Sequence, residues 1–191
     1  FKLSEKTSPA YVKQRLRPKK WNKVFVKPLP GAEGTNIRSF NTNNLRYRKG
    51  ELNHHIEYLK NRGFTKAVAQ KFMEDFATTE YPELRTFWVG NEYQYTIETT
   101  GAGYDWNVRK SPIPRSLYLK CKKVLRHLAE KFRQELVITR LDWGYDKGSF
   151  FLNEIEYAPG TFAEMFSGNK WKLDKKIGDQ IVKIAQTKVK K

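Results

Sequence analysis

Apolar residues in this chain fall into short alternating runs punctuated by turn residues, with a few longer stretches of helical spacing. In KVFVKP (23–28), Val24 and Val26 share one face, because successive strand side chains point to opposite sides. The loop LPGAEGTN (29–36) follows, with Gly31 and Gly34, and IRSF (37–40) reads as the return strand. ELNHHIEYLKNRG (51–63) carries apolar residues at 52, 56 and 59 and ends on glycine, which predicts a capped helix. TKAVAQKF (65–72) reads as a short second helix, and KFMEDFA (71–77), LRTFWVG (84–90) and EYQYTIET (92–99) read as strands. Gly90-Asn91 between the last two predicts a tight hairpin. TGAGYDWNVRKSPIP (100–114) reads as a loop, and Leu117, Leu119, Val124, Leu125, Leu128 and Phe132 supply the apolar positions of a long helix over 115–135. LVITRLDWG (136–144) and SFFLNEIEYA (149–158) form strands joined by a hairpin at YDKG. An amphipathic helix at about 176–188 precedes a lysine-rich tail. Residues 1–20, basic and proline-containing, show little periodicity and read as an extended arm or the end of a preceding domain. There is no internal repeat, and the mixture of helices with antiparallel hairpins points to an α+β fold.

Three clusters of polar residues stand out against this frame. Glu154 and Glu156 are two apart on a strand and so share a face, where they repel each other unless a cation or basic partner intervenes. The hairpin brings Asp142 onto the neighbouring strand. Three carboxylates make a hard oxygen cage suited to Mg²⁺ or Mn²⁺, and no nearby His or Cys favours zinc. Ordinary ion pairs with Arg140 or surface lysines are the competing reading. In the second cluster Lys27 closes a hydrophobic strand before the glycine-containing loop, whose N–H groups can approach phosphate oxygens. The loop lacks the GxxxxGK[ST] pattern of a P-loop. In the third, Glu83 and Arg85 share a strand face: the arginine fork suits a phosphate, and the carboxylate suits ribose hydroxyls. An edge Glu–Arg pair is the alternative. His54 and His55 read as surface or packing residues, His127 as structural, and Cys121 as a core residue.

Taken in order, these clusters resemble the ATP-grasp superfamily of ligases. TRLDWGYDKGSFFLNEIEYAPG is similar to that family's C-terminal signature of Arg-x-Asp, a hairpin, and Asn-Glu-x-Asn before Pro-Gly. FVKP with its two downstream glycines resembles the phosphate-lid region, and FMEDF followed by PELRTFWV resembles the adenine-side strand and the Glu/Arg strand. The resemblance covers about residues 22–162 and is closest in style to D-alanine–D-alanine ligase and glutathione synthetase. It implies that Lys27 contacts the nucleotide phosphates and that residues 31–36 fold over them. It further implies that Glu74 to Ala77 line the adenine and Glu83 holds the ribose, with Arg85 on the phosphates. Arg140 is implied to stabilise the transferring phosphoryl group or acyl-phosphate. Asp142, Glu154 and Glu156 are implied to bind one or two Mg²⁺ ions. Glu156 stands where the family usually has Asn. The family's N-terminal substrate domain has no counterpart in the 20 or so residues before the first strand, and Lys13, Lys19 or Lys20 would supply its second phosphate-binding lysine. The implied organisation is a basic arm or domain remnant (1–21), a phosphate-lid subdomain (22–77) and a C-terminal subdomain with the metal site (78–191).

Composition bounds the function. Of 191 residues, 37 are Lys or Arg and 20 are Asp or Glu, a net charge of +17 that draws polyanions such as nucleic acid, nucleotide phosphates or acidic protein. A hydrophobic share of 39% supports a packed core, and no apolar run is long enough to predict a membrane span. A lone cysteine, Cys121, precludes an internal disulfide and fits a reducing compartment, the cytoplasm or a virion interior. The first residue is Phe, which points to a fragment or a processed form. The expected activity is ATP- and Mg²⁺-dependent ligation of a carboxylate to an amine or thiol through an acyl-phosphate, on a small-molecule or peptide substrate. The alternative is a non-catalytic basic protein, structural or nucleic-acid-associated (a virion component, for example), on an ATP-grasp-like fold. A ligase acting on an acidic protein tail is a third reading.

Overall fold

The computed structural model describes residues 9–16, 19–29, 36–42, 49–74, 76–100, 105–160 and 172–189. It divides into two compact units, Phe1–Glu74 and Asp75–Lys191, each with its own core.

The first unit holds α1 (Pro9–Leu16), β1 (Lys23–Leu29), β2 (Arg38–Asn41), α2 (Lys49–Asn61) and β3 (Lys66–Lys71). Its sheet has the order β2-β1-β3, both pairings antiparallel. Val24 and Val26, with Ala67 of β3 and Phe40 of β2, pack against Leu52, Ile56 and Leu59 of α2 and Val12 and Leu16 of α1. Alternation sends Lys23, Phe25 and Lys27 to the other face. His55 is a packing residue: it is buried, its Nε2 lies 3.2 Å from the carbonyl oxygen of Val26, and burial holds its pKa below the usual histidine value.

Three expectations change over residues 9–77. Residues 66–71 form a strand, not a helix, because all six pair with β1, and pairing outweighs the modest helix preference of Ala and Lys. Strand structure ends at Lys71, and residues 72–74, 76 and 77 are not in a strand; Ala77 has a positive φ of 57°. Residues 9–16 are helical rather than extended. Val12 and Leu16, one turn apart, bury one side of α1, a two-residue signal that the surrounding bases and prolines hide.

The second unit holds β4 (Glu83–Val89), β5 (Glu92–Thr100), β6 (Asp105–Val108), α3 (Arg115–Phe132), β7 (Ile138–Asp146), β8 (Ser149–Glu156) and α4 (Leu173–Val189). Its antiparallel sheet runs β6-β5-β4-β7-β8. On one face Leu117, Cys121 and Leu125 of α3 meet Leu84, Trp88, Leu141 and Trp143. On the other, Leu173 and Ile177 of α4 meet Phe87, Val89 and Tyr95. The central strand β4 is covered on both sides, which accounts for its nearly unbroken burial. The Gly90-Asn91 hairpin forms as expected, with Gly90 at φ 54°. Burial pushes the Cys121 thiol up to about 12, as suits a core residue. Leu119, expected on the apolar side of α3, is 57% exposed, and Phe132 is exposed too. The loop over 100–114 contains strand β6, which four residues alternating with Asp and Asn did not announce. Among the described residues no helix is long and apolar enough to cross a membrane.

Candidate functional site

The face of the second sheet away from α3 carries the polar constellation. On β4 that face presents Glu83 and Arg85. Cross-strand pairing puts Asp142 beside Arg85 and Glu154 beside Asp142, and in the next row Phe87, Arg140 and Glu156 line up. Thr99 of β5 stands opposite Glu83. The register of β7 against β8 slips by one residue between Asp142 and Trp143. This bulge places Asn153 and Glu154, though consecutive, on the same side.

The acids here are bound by arginines. Both oxygens of Asp142 accept from Arg140: Nε to Oδ1 at 2.8 Å and Nη2 to Oδ2 at 2.9 Å. Arg140 Nη1 reaches Glu156 Oε2 at 2.7 Å, and Arg85 Nε stands 3.9 Å from Asp142 Oδ2. Glu83 Oε2 accepts from Arg85 Nε at 2.9 Å and from Thr99 Oγ1 at 3.1 Å, and its Oε1 accepts from Asn153 Nδ2 at 2.9 Å. Asp142 and Glu83 are only 1% and 5% exposed, whereas Glu154 is exposed. Burial pushes the Asp142 carboxyl up to about 6, against the pull of the Arg140 bonds and charge. Burial also opposes the charge on Arg140, yet the bonds and charges of Asp142 and its neighbours hold the guanidinium pKa above its ordinary value. The result is a fixed guanidinium whose planar fork is oriented from two strands.

Of the residues singled out from sequence, Glu83, Arg85, Arg140, Asp142, Glu154 and Glu156 share this one sheet face. The three acids Asp142, Glu154 and Glu156 do not form a cage: Arg140 binds two of them, and no group of three or more His, Cys, Asp or Glu side chains among the described residues is arranged to hold a metal. The ion-pair reading of these acids, and of Glu83 with Arg85, is therefore realised in this structure. The donor chemistry still suits a hard divalent ion. Among the described residues four carboxylates face two guanidiniums here, and carboxylate oxygens are the donors such an ion takes. Lys27 lies in the first unit on the sheet face opposite α2, half-buried. Glu74 is exposed at the end of that unit. Gly31 and Gly34 lie outside the described residues. Sequence reading missed Asn153 and Thr99 as supports of Glu83. Asn153 was visible inside the Asn-Glu-x-Glu motif, but Thr99 declares itself only through strand register.

No family model and no curated protein matches this sequence. Solved structures do match. D-cycloserine synthetase DcsG superposes with a TM-score of 0.70 at 15% identity, over 90% of this chain and 61% of that one. D-alanine–D-alanine ligase from Bacillus anthracis gives 0.64 at 14%, over 92% and 59%. PsnB, an ATP-grasp ligase solved with a phosphomimetic variant of a minimal precursor, Mg and ADP, gives 0.58 at 13%, over 91% and 51%. The chain thus spans about three-fifths of the length of the first two proteins.

Proposed function

Because this chain has the ATP-grasp fold, we propose that it is an ATP- and Mg²⁺-dependent ligase joining a carboxylate to an amine or thiol. The observation that carries this reading is Arg140, held between Asp142 and Glu156 beside the Glu83–Arg85 pair on one sheet face. In such a reaction a substrate carboxylate oxygen bonds to the γ-phosphorus of ATP as the bond to the β-phosphate oxygen breaks, releasing ADP. The amine or thiol then attacks the acyl carbon, loses its proton and expels inorganic phosphate. The barrier is largely charge crowding on the transferring group, so fixed cations are the natural catalysts.

Arg140 would meet that charge without reorganising, since Asp142 and Glu156 already fix its orientation. Arg85 would bind phosphate oxygens, and Glu83, steadied by Thr99 and Asn153, would accept from ribose hydroxyls. Lys27 and the loop carrying Gly31 and Gly34 would contact the phosphates, and Glu74 the adenine edge. Asp142, Glu154 and Glu156 would hold Mg²⁺ (or Mn²⁺), which when bound shields phosphate charge. DcsG and D-alanine–D-alanine ligase are named for small-molecule products, and PsnB was solved with a precursor peptide. The proposed substrate is accordingly a small-molecule or peptide carboxylate, and the lone Cys121 fits a reducing compartment. Calorimetric titration with ATP tests the reading. Binding that requires Mg²⁺ and drops at least about tenfold in Asp142→Asn and Glu154→Gln is expected. A folded sample with no affinity for ATP overturns it.

One observation favours a second reading. Helix α3 carries Arg115, Lys120, Lys122, Lys123, Arg126 and Lys131 against a single acid, Glu130. A non-catalytic, nucleic-acid-associated role would use that charge. Its signature would be DNA affinity falling steeply with salt, in a chain that releases no ADP.

A further inference from the structure

A cavity of about 530 Å³ opens in the second unit, on the α3 side of the sheet and therefore on the face opposite the arginine row. Strand alternation makes the separation: Glu83 and Arg85 point one way, while Leu84 between them lines the cavity. Three aromatic rings stand in its walls. Tyr81 and Tyr145 lie 5.5 Å apart with ring planes 13° from parallel, and Phe150 meets Tyr145 edge-on at 5.0 Å. Two cations line the cavity, and they are not equivalent. Arg109 is paired with Glu98. Lys120 is bound only to neutral oxygens, donating to Ser149 Oγ at 3.0 Å and to the carbonyl of Phe150 at 2.5 Å, and among the described residues no carboxylate pairs with it. An ammonium has three N–H donors, so one remains to be used. A half-buried charge compensated only by dipoles draws an anion. The one acid on the cavity wall, Glu80, is an exposed residue.

We infer that this cavity is a second ligand site, distinct from the nucleotide chemistry, that takes a small organic anion: a carboxylate or phosphate carried on an aromatic body. The acid group meets Lys120 and the ring lies against Tyr81, Tyr145 and Phe150. The size is in the range of small-molecule pockets, and the mixture of apolar wall and a few polar groups is what such pockets use to fix orientation.

The test is calorimetric or ligand-observed NMR titration with phenyl phosphate, 3-phenylpropionate and the neutral isostere 3-phenylpropan-1-ol. Saturable binding of both anions is expected, with the alcohol about tenfold or more weaker. Lys120→Gln should erase the preference for the anions, and Tyr145→Ala should weaken all three ligands. Circular dichroism of each variant establishes that it folds. Arg85→Gln, on the opposite face, should leave the affinities unchanged. No saturable binding, equal binding of alcohol and acid, or an unaltered preference in folded Lys120→Gln would each overturn the site. Loss of binding in Arg85→Gln would move the anion to the arginine row and equally overturn it. ATP affinity is a separate measurement, so failure here leaves the ligase reading standing and the reverse holds too.

Discussion

His55 sits under β1 with one ring nitrogen against the Val26 carbonyl oxygen and the other, Nδ1, buried without a hydrogen-bond partner among the described residues. Burial lowers its pKa, the nearby charge of Arg38 adds to this, and the Val26 carbonyl works in the opposite direction. A histidine whose folded pKa lies below its unfolded value near 6.5 leaves the unfolded state binding more protons as the solution acidifies. Its contribution to the first unit is therefore intact above about pH 6.5 and is lost as pH falls below it. Thermal midpoints taken from about pH 7.5 to 5 should fall in the native chain and fall less in His55→Gln; parallel profiles would show that His55 is ionised within the fold. At this scale the sequence was partly legible. Spacing alone placed Glu154 with Glu156, and Glu83 with Arg85, on common faces. It did not tell which arginine would hold which acid, because Arg140 reaches Asp142 along its own strand and Glu156 across to the next.

Gly144 shows how a strand can be constrained by what crosses it. A Cβ there would come within 2.3 Å of the Phe151 ring and 2.6 Å of the Phe76 ring, so the position requires glycine for close approach. Gly144→Ala should cost about 1–3 kcal/mol by forcing both rings to move. Urea unfolding monitored by circular dichroism measures it, and an unchanged midpoint would mean that the rings yield freely. Elements with a strong local signal were legible: α2, α3, the β4–β5 hairpin and the β7–β8 hairpin all appear near their expected bounds. Elements fixed by partners were not. β3 has the composition of a helix and is a strand because β1 offers six residues to pair with. β6 is four residues long and follows β5 only by pairing to its outer edge.

For the whole molecule, the mixture of hairpins and amphipathic helices gave the α+β class, and the ordered motifs gave the ATP-grasp fold. The adjacency of β4 and β7 was beyond local reading, since some fifty residues separate their sequences and no hairpin joins them. A net charge of +17 on a chain of this size repels itself in the folded state more than in an expanded one. Raising NaCl from about 20 to 200 mM, which shortens the screening length from about 20 Å to under 10 Å, should raise the thermal midpoint. A midpoint that falls with salt would instead mean that attractive pairs such as Arg140–Asp142 dominate the electrostatics.

The extra residue in β8 gives one sheet face two consecutive side chains, Asn153 and Glu154, without disturbing either half of the strand. Toward the hairpin, Phe150 and Leu152 keep step with Tyr145 and Trp143 on the side that α3 covers; beyond it, Glu154 and Glu156 keep step with Asp142 and Arg140 on the other. Were Asn153 deleted and the hairpin held, Glu154 would follow Leu152 directly, the ladder would close without a bulge, Glu156 would stay opposite Arg140, and Glu83 would lose the amide that Asn153 donates. A shortened strand would keep its greasy half and its acidic half where they are and forfeit only that donor.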